Sequence, residues 1–110
     1  MTSTTTSRSE GSVGRKIRRS AQGKPCLLRI PGVCQGGTET TVHAHLRMAG
    51  GGGIGQKPVD YAGIRACHPC HDWLDRRNRA ADLDAFSELY VLEGLLRTLA
   101  ALDSEGIIPR

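Results

Sequence analysis

Aromatic side chains are nearly missing from this chain: one Phe, one Trp and two Tyr in 110 residues. That leaves one small domain a modest aliphatic core, which helix packing or a bound metal must supplement. Nowhere is the sequence apolar for long enough to span a bilayer, so no membrane partner is expected. No apolar leader-like run follows Met1 either, so the four cysteines are expected to bind metal in the cytoplasm rather than form a secreted disulfide framework. Internal repeats are missing as well.

Basic charge and glycine, by contrast, are plentiful. The formal charge is +4 and there are 14 glycines, a loop-rich composition. The charge is uneven. Residues 1–24 hold Arg8, Arg15, Lys16, Arg18, Arg19 and Lys24 against Glu10 alone, whereas residues 25–110 hold nine basic against ten acidic residues. A basic N-terminal arm of this kind either adds non-specific phosphate affinity or only solubilises. Its first part, MTSTTTSRSEGSVG (1–14), is Ser/Thr/Gly-rich and reads as disordered. RKIRRSAQG (15–23) reads as a short basic helical turn or more of the arm. The division expected is a disordered basic arm over 1–20 and a folded zinc-binding domain over 21–110.

CLLRIPGVC (26–34) reads as a short strand with a Pro-Gly turn between cysteines. Thr40 to Leu46 and Tyr61 to Ala66 read as two strands, with AGGGGIGQKP (49–58) as a flexible loop between them. A helix is expected from His68 or Pro69 to about Arg79, since proline suits a first helical turn. A second begins near Asp82 or Asp84 and ends at Ser104–Gly106. Its Leu83, Phe86, Leu89, Tyr90, Leu92, Leu96, Leu99 and Leu102 read as one core-facing stripe, and Gly94 within it implies close packing. Ile107 and Ile108 would add a last strand or contact. The fold class is therefore small α+β.

Cys26 and Cys34 are spaced C-x7-C, and Cys67 and Cys70 C-x2-C. Two such pairs suit one tetrahedral structural zinc site, which adds folding energy to a small core. The run CHPCH (67–71) also matches a haem-attachment pattern, and CHPC a thioredoxin-type pair. The first leaves Cys26 and Cys34 without a role, and the second needs more strands than this chain has.

His71 follows Cys70 directly. A helix turns by about 100° per residue, so His71 faces away from the cysteine metal. Asp75, four residues on, shares its face, and the two are spaced to hold a second ion. The competing reading pairs Asp75 with Arg79 and lets His71 cap a turn. In TVHAHLR (41–47), His43 and His45 project from one face of a strand. Two strand histidines beside a helical His/Asp pair and a cysteine site form a constellation.

CLLRIPGVC, ETTVHAHLR, KPVDYAGIRACHPCHDWLDRR and, more weakly, LEGLLRT resemble the YbcO-like nucleases of phages and prophages, placed within the HNH (ββα-metal) endonucleases. The resemblance runs from about Arg18 to Gly106. It implies a zinc-stapled ββα-metal core with an additional C-terminal helix, and a DNA endonuclease of the bacterial cytoplasm that hydrolyses phosphodiester bonds. Phage or host recombination proteins are its candidate partners. By the same resemblance His45 is the general base, and His71 binds a catalytic divalent metal with Asp75 and His43. That ion is expected to be Mg²⁺ or Mn²⁺, with Zn²⁺ or Ni²⁺ as further candidates. The residue before the base, often another ligand in that superfamily, is Ala44 here. The middle Asn that orients the base is not evident between Val59 and Ala66, which leaves Asp60 or a backbone carbonyl to orient it. Arg47, Arg76 and Arg77 flank the site as phosphate-binding candidates. The alternative is a catalytically inactive, zinc-stapled DNA-binding or adaptor module.

Overall fold

A computed structural model describes residues 10–47, 59–80 and 83–109. A π-helical turn, Glu10–Gly14, leads into α1 (Arg15–Ser20). Strands β1 (Val42–His45) and β2 (Gly63–Ala66) pair antiparallel, with His43 opposite Arg65 and His45 opposite Gly63. Helices α2 (His68–Arg79) and α3 (Ala85–Ser104) complete a small α+β fold. The glycine loop assigned to 49–58, the arm over 1–9 and Asp82 lie outside the described residues.

Both strands and both long helices lie close to where periodicity and turn residues put them. Segment 26–34 forms no strand. Arg29 takes a left-handed φ of 55°, and Val33 and Cys34 both donate their N–H to the Ile30 carbonyl, closing a turn. Only Leu27 and Leu28 reach the sheet, both donating to the carbonyl of Arg65. The Pro31-Gly32 turn and the pull of two cysteines on one cluster bend the chain too sharply for a ladder. Ile107 and Ile108 add a half-buried contact, and the Ile107 N–H bonds the Leu102 carbonyl at 3.0 Å.

The leucine stripe of α3 needs correcting. Phe86, Leu89, Leu92 and Leu96 are exposed, Phe86 to 72%. The face that packs instead carries Val91, Gly94, Thr98 and Leu102. Small residues at its centre allow close approach. A Cβ on Gly94 would stand 3.1 Å from Ile64 Cγ2 and 3.2 Å from Leu28 Cδ1. Thr98 Oγ1 accepts the free edge N–H of Arg65 at 3.1 Å. Apolar 3–4 spacing marks a helix, but eight such residues wrap around more than one face, and packing selects only one of them.

Residues 10–20, which the sequence reading assigns to the arm, are helical. Ile17 and Ala21 are fully buried. Ser20 Oγ accepts from Arg65 Nη2 at 3.0 Å, tying α1 to the sheet. Arg65 is itself buried, and its guanidinium is held by both carboxylate oxygens of Glu105 at 2.9 and 2.7 Å. This fork joins α1, β2 and the end of α3. Removing Glu105 would strand a buried cation.

Glu105→Ala is expected to destabilise the protein by roughly 2–3 kcal/mol, below the roughly 3–5 of a fully buried pair because Glu105 keeps partial solvent access. Urea unfolding measures it. The Arg65 bonds and charge, against the opposing effect of burial, hold the Glu105 carboxyl below its ordinary value. A depressed carboxyl stabilises above the unfolded-state value and loses that contribution as pH falls through the folded one. The gap between parent and variant should therefore be full at neutral pH and close below about pH 4.

Candidate functional site

Four sulfur atoms meet beneath the hairpin. Cys26, Cys34, Cys67 and Cys70 all lie with Sγ within 4.8 Å of one another, and all are free thiols. A zinc ion with Zn–S bonds of about 2.3 Å sets tetrahedral sulfurs about 3.8 Å apart. Cys34 and Cys67 Sγ stand 3.9 Å apart. That is close to the zinc spacing and far outside a disulfide bond of about 2.05 Å. The donor set therefore fits a structural metal such as zinc. The local folds suit it as well. The Arg29 N–H points at Cys26 Sγ at 3.5 Å. Cys67 is the N-cap of α2 but makes no side-chain capping bond, which leaves its sulfur for the cluster. Burial raises the Cys67 thiol, but N–H groups from Gln35 and Cys70 and the neighbouring thiols outweigh it and bring the thiol down to about 7. Burial pushes Cys70 up. One easily ionised thiol among buried partners is the electrostatic pattern that a cation resolves.

The second cluster lies at the other end of β1. His45 Nε2 stands 2.8 Å from Asp60 Oδ1, and His43 Nε2 stands 2.7 Å from the Asp60 carbonyl. The two rings meet edge to face, 5.4 Å between centroids, as the alternation of a strand requires. Asp60 sits in the turn before β2, closed by the Ala62 N–H donating to the Val59 carbonyl at 3.0 Å. Gly63 beside it is obligatory, because a Cβ there would overlap the His43 imidazole. Burial alone would raise the Asp60 carboxyl, but bonds from His45 and Arg18 outweigh it and hold it below its usual value. An ionised carboxylate only accepts hydrogen bonds, so the His45 nitrogen that faces it, Nε2, carries a proton, and in the neutral ring Nδ1 would hold the lone pair.

His43 is buried, which lowers its affinity for a proton and keeps the ring neutral. Its Nε2–H is committed to the Asp60 carbonyl. His71 and Asp75 share a face of α2, with Nε2 and Oδ2 3.6 Å apart and both partly exposed. The structure does not bring His43 to them: among the described residues the cysteines form the group of three or more candidate ligands with mutually close donor atoms. The set read from the sequence thus separates into a strand pair, His43 and His45, and a helix pair, His71 and Asp75.

Asn78 was missed by sequence reasoning. It stands one further turn along the His71–Asp75 face. Its Nδ2 donates to the His45 carbonyl at 3.2 Å, and its Oδ1 accepts the Arg47 N–H at 3.3 Å. It thereby clamps the end of β1 to α2. The only available signal was its seven-residue spacing from His71. Arg77 is not a free phosphate ligand, because its side chain is only 10% exposed and its guanidinium forks onto Glu88 and donates to the Arg47 carbonyl. Arg47 and Arg76 are exposed.

Comparison with known proteins finds similar sequences and a similar structure. Residues 15–107 match the family described as "Putative nuclease YbcO". The chain is 44% identical over 92 residues, 84% of its length, to proteins of that name from Escherichia coli K12 and Enterobacteria phage 82, in each case covering 95% of the relative. It is also similar to a solved structure of a bacteriophage protein from Escherichia coli K-12 MG1655, with TM-score 0.64 and 41% identity over 83% of this chain and all of that one.

Proposed function

The chain belongs to the family described as "Putative nuclease YbcO", and within it we propose a metal-dependent DNA endonuclease with an HNH (ββα-metal) core formed by β1, β2 and α2. The observation that carries this reading is the His45–Asp60 pair at 2.8 Å, at the strand end that Asn78 clamps to the helix bearing His71 and Asp75.

Asp60 holds His45 in the tautomer with Nδ1 unprotonated, so that Nδ1 takes a proton from water as the oxygen attacks phosphorus and the 3′ oxygen leaves. His71 and Asp75 would hold a divalent ion, Mg²⁺ or Mn²⁺ (Zn²⁺ or Ni²⁺ as further candidates), which would supply positive charge to the phosphate and the departing oxygen. His43 serves as a buried strut that fixes the Asp60 main chain. Arg47 and Arg76 remain as phosphate contacts. DNA is the partner, in phage recombination or processing within the bacterial cytoplasm, with phage or host recombination proteins alongside. The cysteine metal is structural and takes no part in the reaction.

The test is conversion of supercoiled plasmid to nicked and linear forms with Mg²⁺ or Mn²⁺. Cleavage that EDTA stops is the expected result. Salt-sensitive binding with no cleavage under any divalent ion would instead favour the inactive adaptor.

A further inference from the structure

Asp60 has a second partner, and it comes from the segment the sequence reads as a basic arm. Arg18 Nη1 lies 2.7 Å from Asp60 Oδ2, while Oδ1 of the same carboxylate faces His45. The contact is built rather than incidental. Ile17 beside Arg18 is fully buried, and Ser20 anchors the same helix to Arg65. Gly14 brings its backbone so close that a Cβ there would overlap Asp60 Oδ2. The Asp60 side chain is 13% exposed, so its position is set by the neighbours named here. The family match begins at residue 15 and so includes this helix.

We propose that Arg18 is a positioning residue for the reaction, holding the Asp60 carboxylate so that it accepts the His45 Nε2 proton and keeps Nδ1 available as the base. The inference rests on the reading of His45 as the base. With Arg18 removed, Asp60 Oδ2 has no cation to fix it, and the carboxylate can turn away from His45. Gly14 plays the complementary part, since its missing side chain leaves the space that the carboxylate occupies. Arg15, Lys16 and Arg19 are exposed on the same short helix. They carry the same charge without touching Asp60, which makes them natural controls.

The experiment uses the zinc-loaded full chain with plasmid DNA and Mg²⁺ or Mn²⁺. Arg18→Gln is expected to lower kcat by about 10- to 100-fold, the scale on which groups that orient a ligand or base act, with KM within about twofold, a split that marks loss of a transition-state contribution. Arg18→Lys should restore part of the loss. Arg19→Gln, which removes the same charge, should change KM and its salt dependence only. Nitrogen-15 NMR of the His45 ring should show the Nε2–H tautomer in the parent and in Arg19→Gln, and a mixture in Arg18→Gln. Gly14→Ala keeps every charge but displaces Asp60, so it should repeat both the kcat loss and the tautomer change. A parent-like His45 tautomer in Arg18→Gln and Gly14→Ala overturns the proposal, as does an Arg18→Gln defect confined to KM. If the parent itself cleaves nothing, the nuclease reading fails, and the tautomer measurement alone still decides whether Arg18 positions His45.

Discussion

His45→Ala is expected to slow plasmid nicking by about 10²–10⁴-fold, the usual contribution of a positioned general base, while leaving fold and metal content unchanged. His45 suits such a test because its side chain is 27% exposed and lies outside the hydrophobic core cluster. Its main chain is held independently by Asn78 and by pairing with Gly63. The loss should therefore appear in kcat rather than in stability. Asp60→Asn should lose less, because asparagine can still accept the Nε2 proton but loses the charge that draws Arg18. A His45→Ala protein that cleaves as fast as the parent would end the assignment of His45, whatever else the protein does.

Replacement of the cysteines should have the larger effect on the fold. Structural zinc in small domains contributes about 10 kcal/mol or more, comparable to the roughly 5–15 kcal/mol net stability of a whole domain. Here Cys26, Cys67 and Cys70 are part of the buried core, packed with Leu28, Ile64 and Leu74. Cys70→Ser is expected to abolish stoichiometric zinc and to remove cooperative thermal unfolding as followed by circular dichroism. A strong chelator should do the same to the parent. Mg²⁺ added afterwards should not restore cleavage, because what was lost is the scaffold beneath β1 and α2 rather than a reacting group. Fewer than one zinc per chain in a protein that still melts cooperatively would rule out the zinc staple. So would a haem absorption band.

The Arg77–Glu88 pair shows how far local reading reaches. Three arginines near the histidines were equivalent candidates for phosphate in the sequence, and nothing local separates them. Glu88 lies eleven residues after Arg77, on the next helix, and meets it only when α3 folds back. One of the three is thereby ion-paired and half-buried, leaving Arg47 and Arg76 exposed. The α3 leucines teach the same lesson in reverse: burial went to Gly94, whose small size admits Ile64 and Leu28, and to Thr98, which accepts the Arg65 N–H. Gly94 itself was legible, since glycine inside a helix is unfavourable unless something needs the space.

What the order of residues determined was everything governed by short spacing. Strand alternation put His43 and His45 on one side, the four-residue helical repeat put His71 above Asp75, and C-x2-C beside C-x7-C announced a four-sulfur site. These follow from backbone geometry, which acts over a handful of residues. What only the tertiary structure decided were the partnerships made across the chain. Arg18 reaches Asp60 over 42 positions, Asp60 reaches back 15 to His45, and Asn78 reaches back 33 to the His45 carbonyl. Hydrogen bonds and ion pairs form wherever packing brings donor to acceptor, and no local periodicity encodes that distance. The candidate base was therefore visible in TVHAHLR, whereas the carboxylate and the arginine that hold it became visible only once α1, the turn before β2 and the end of β1 met.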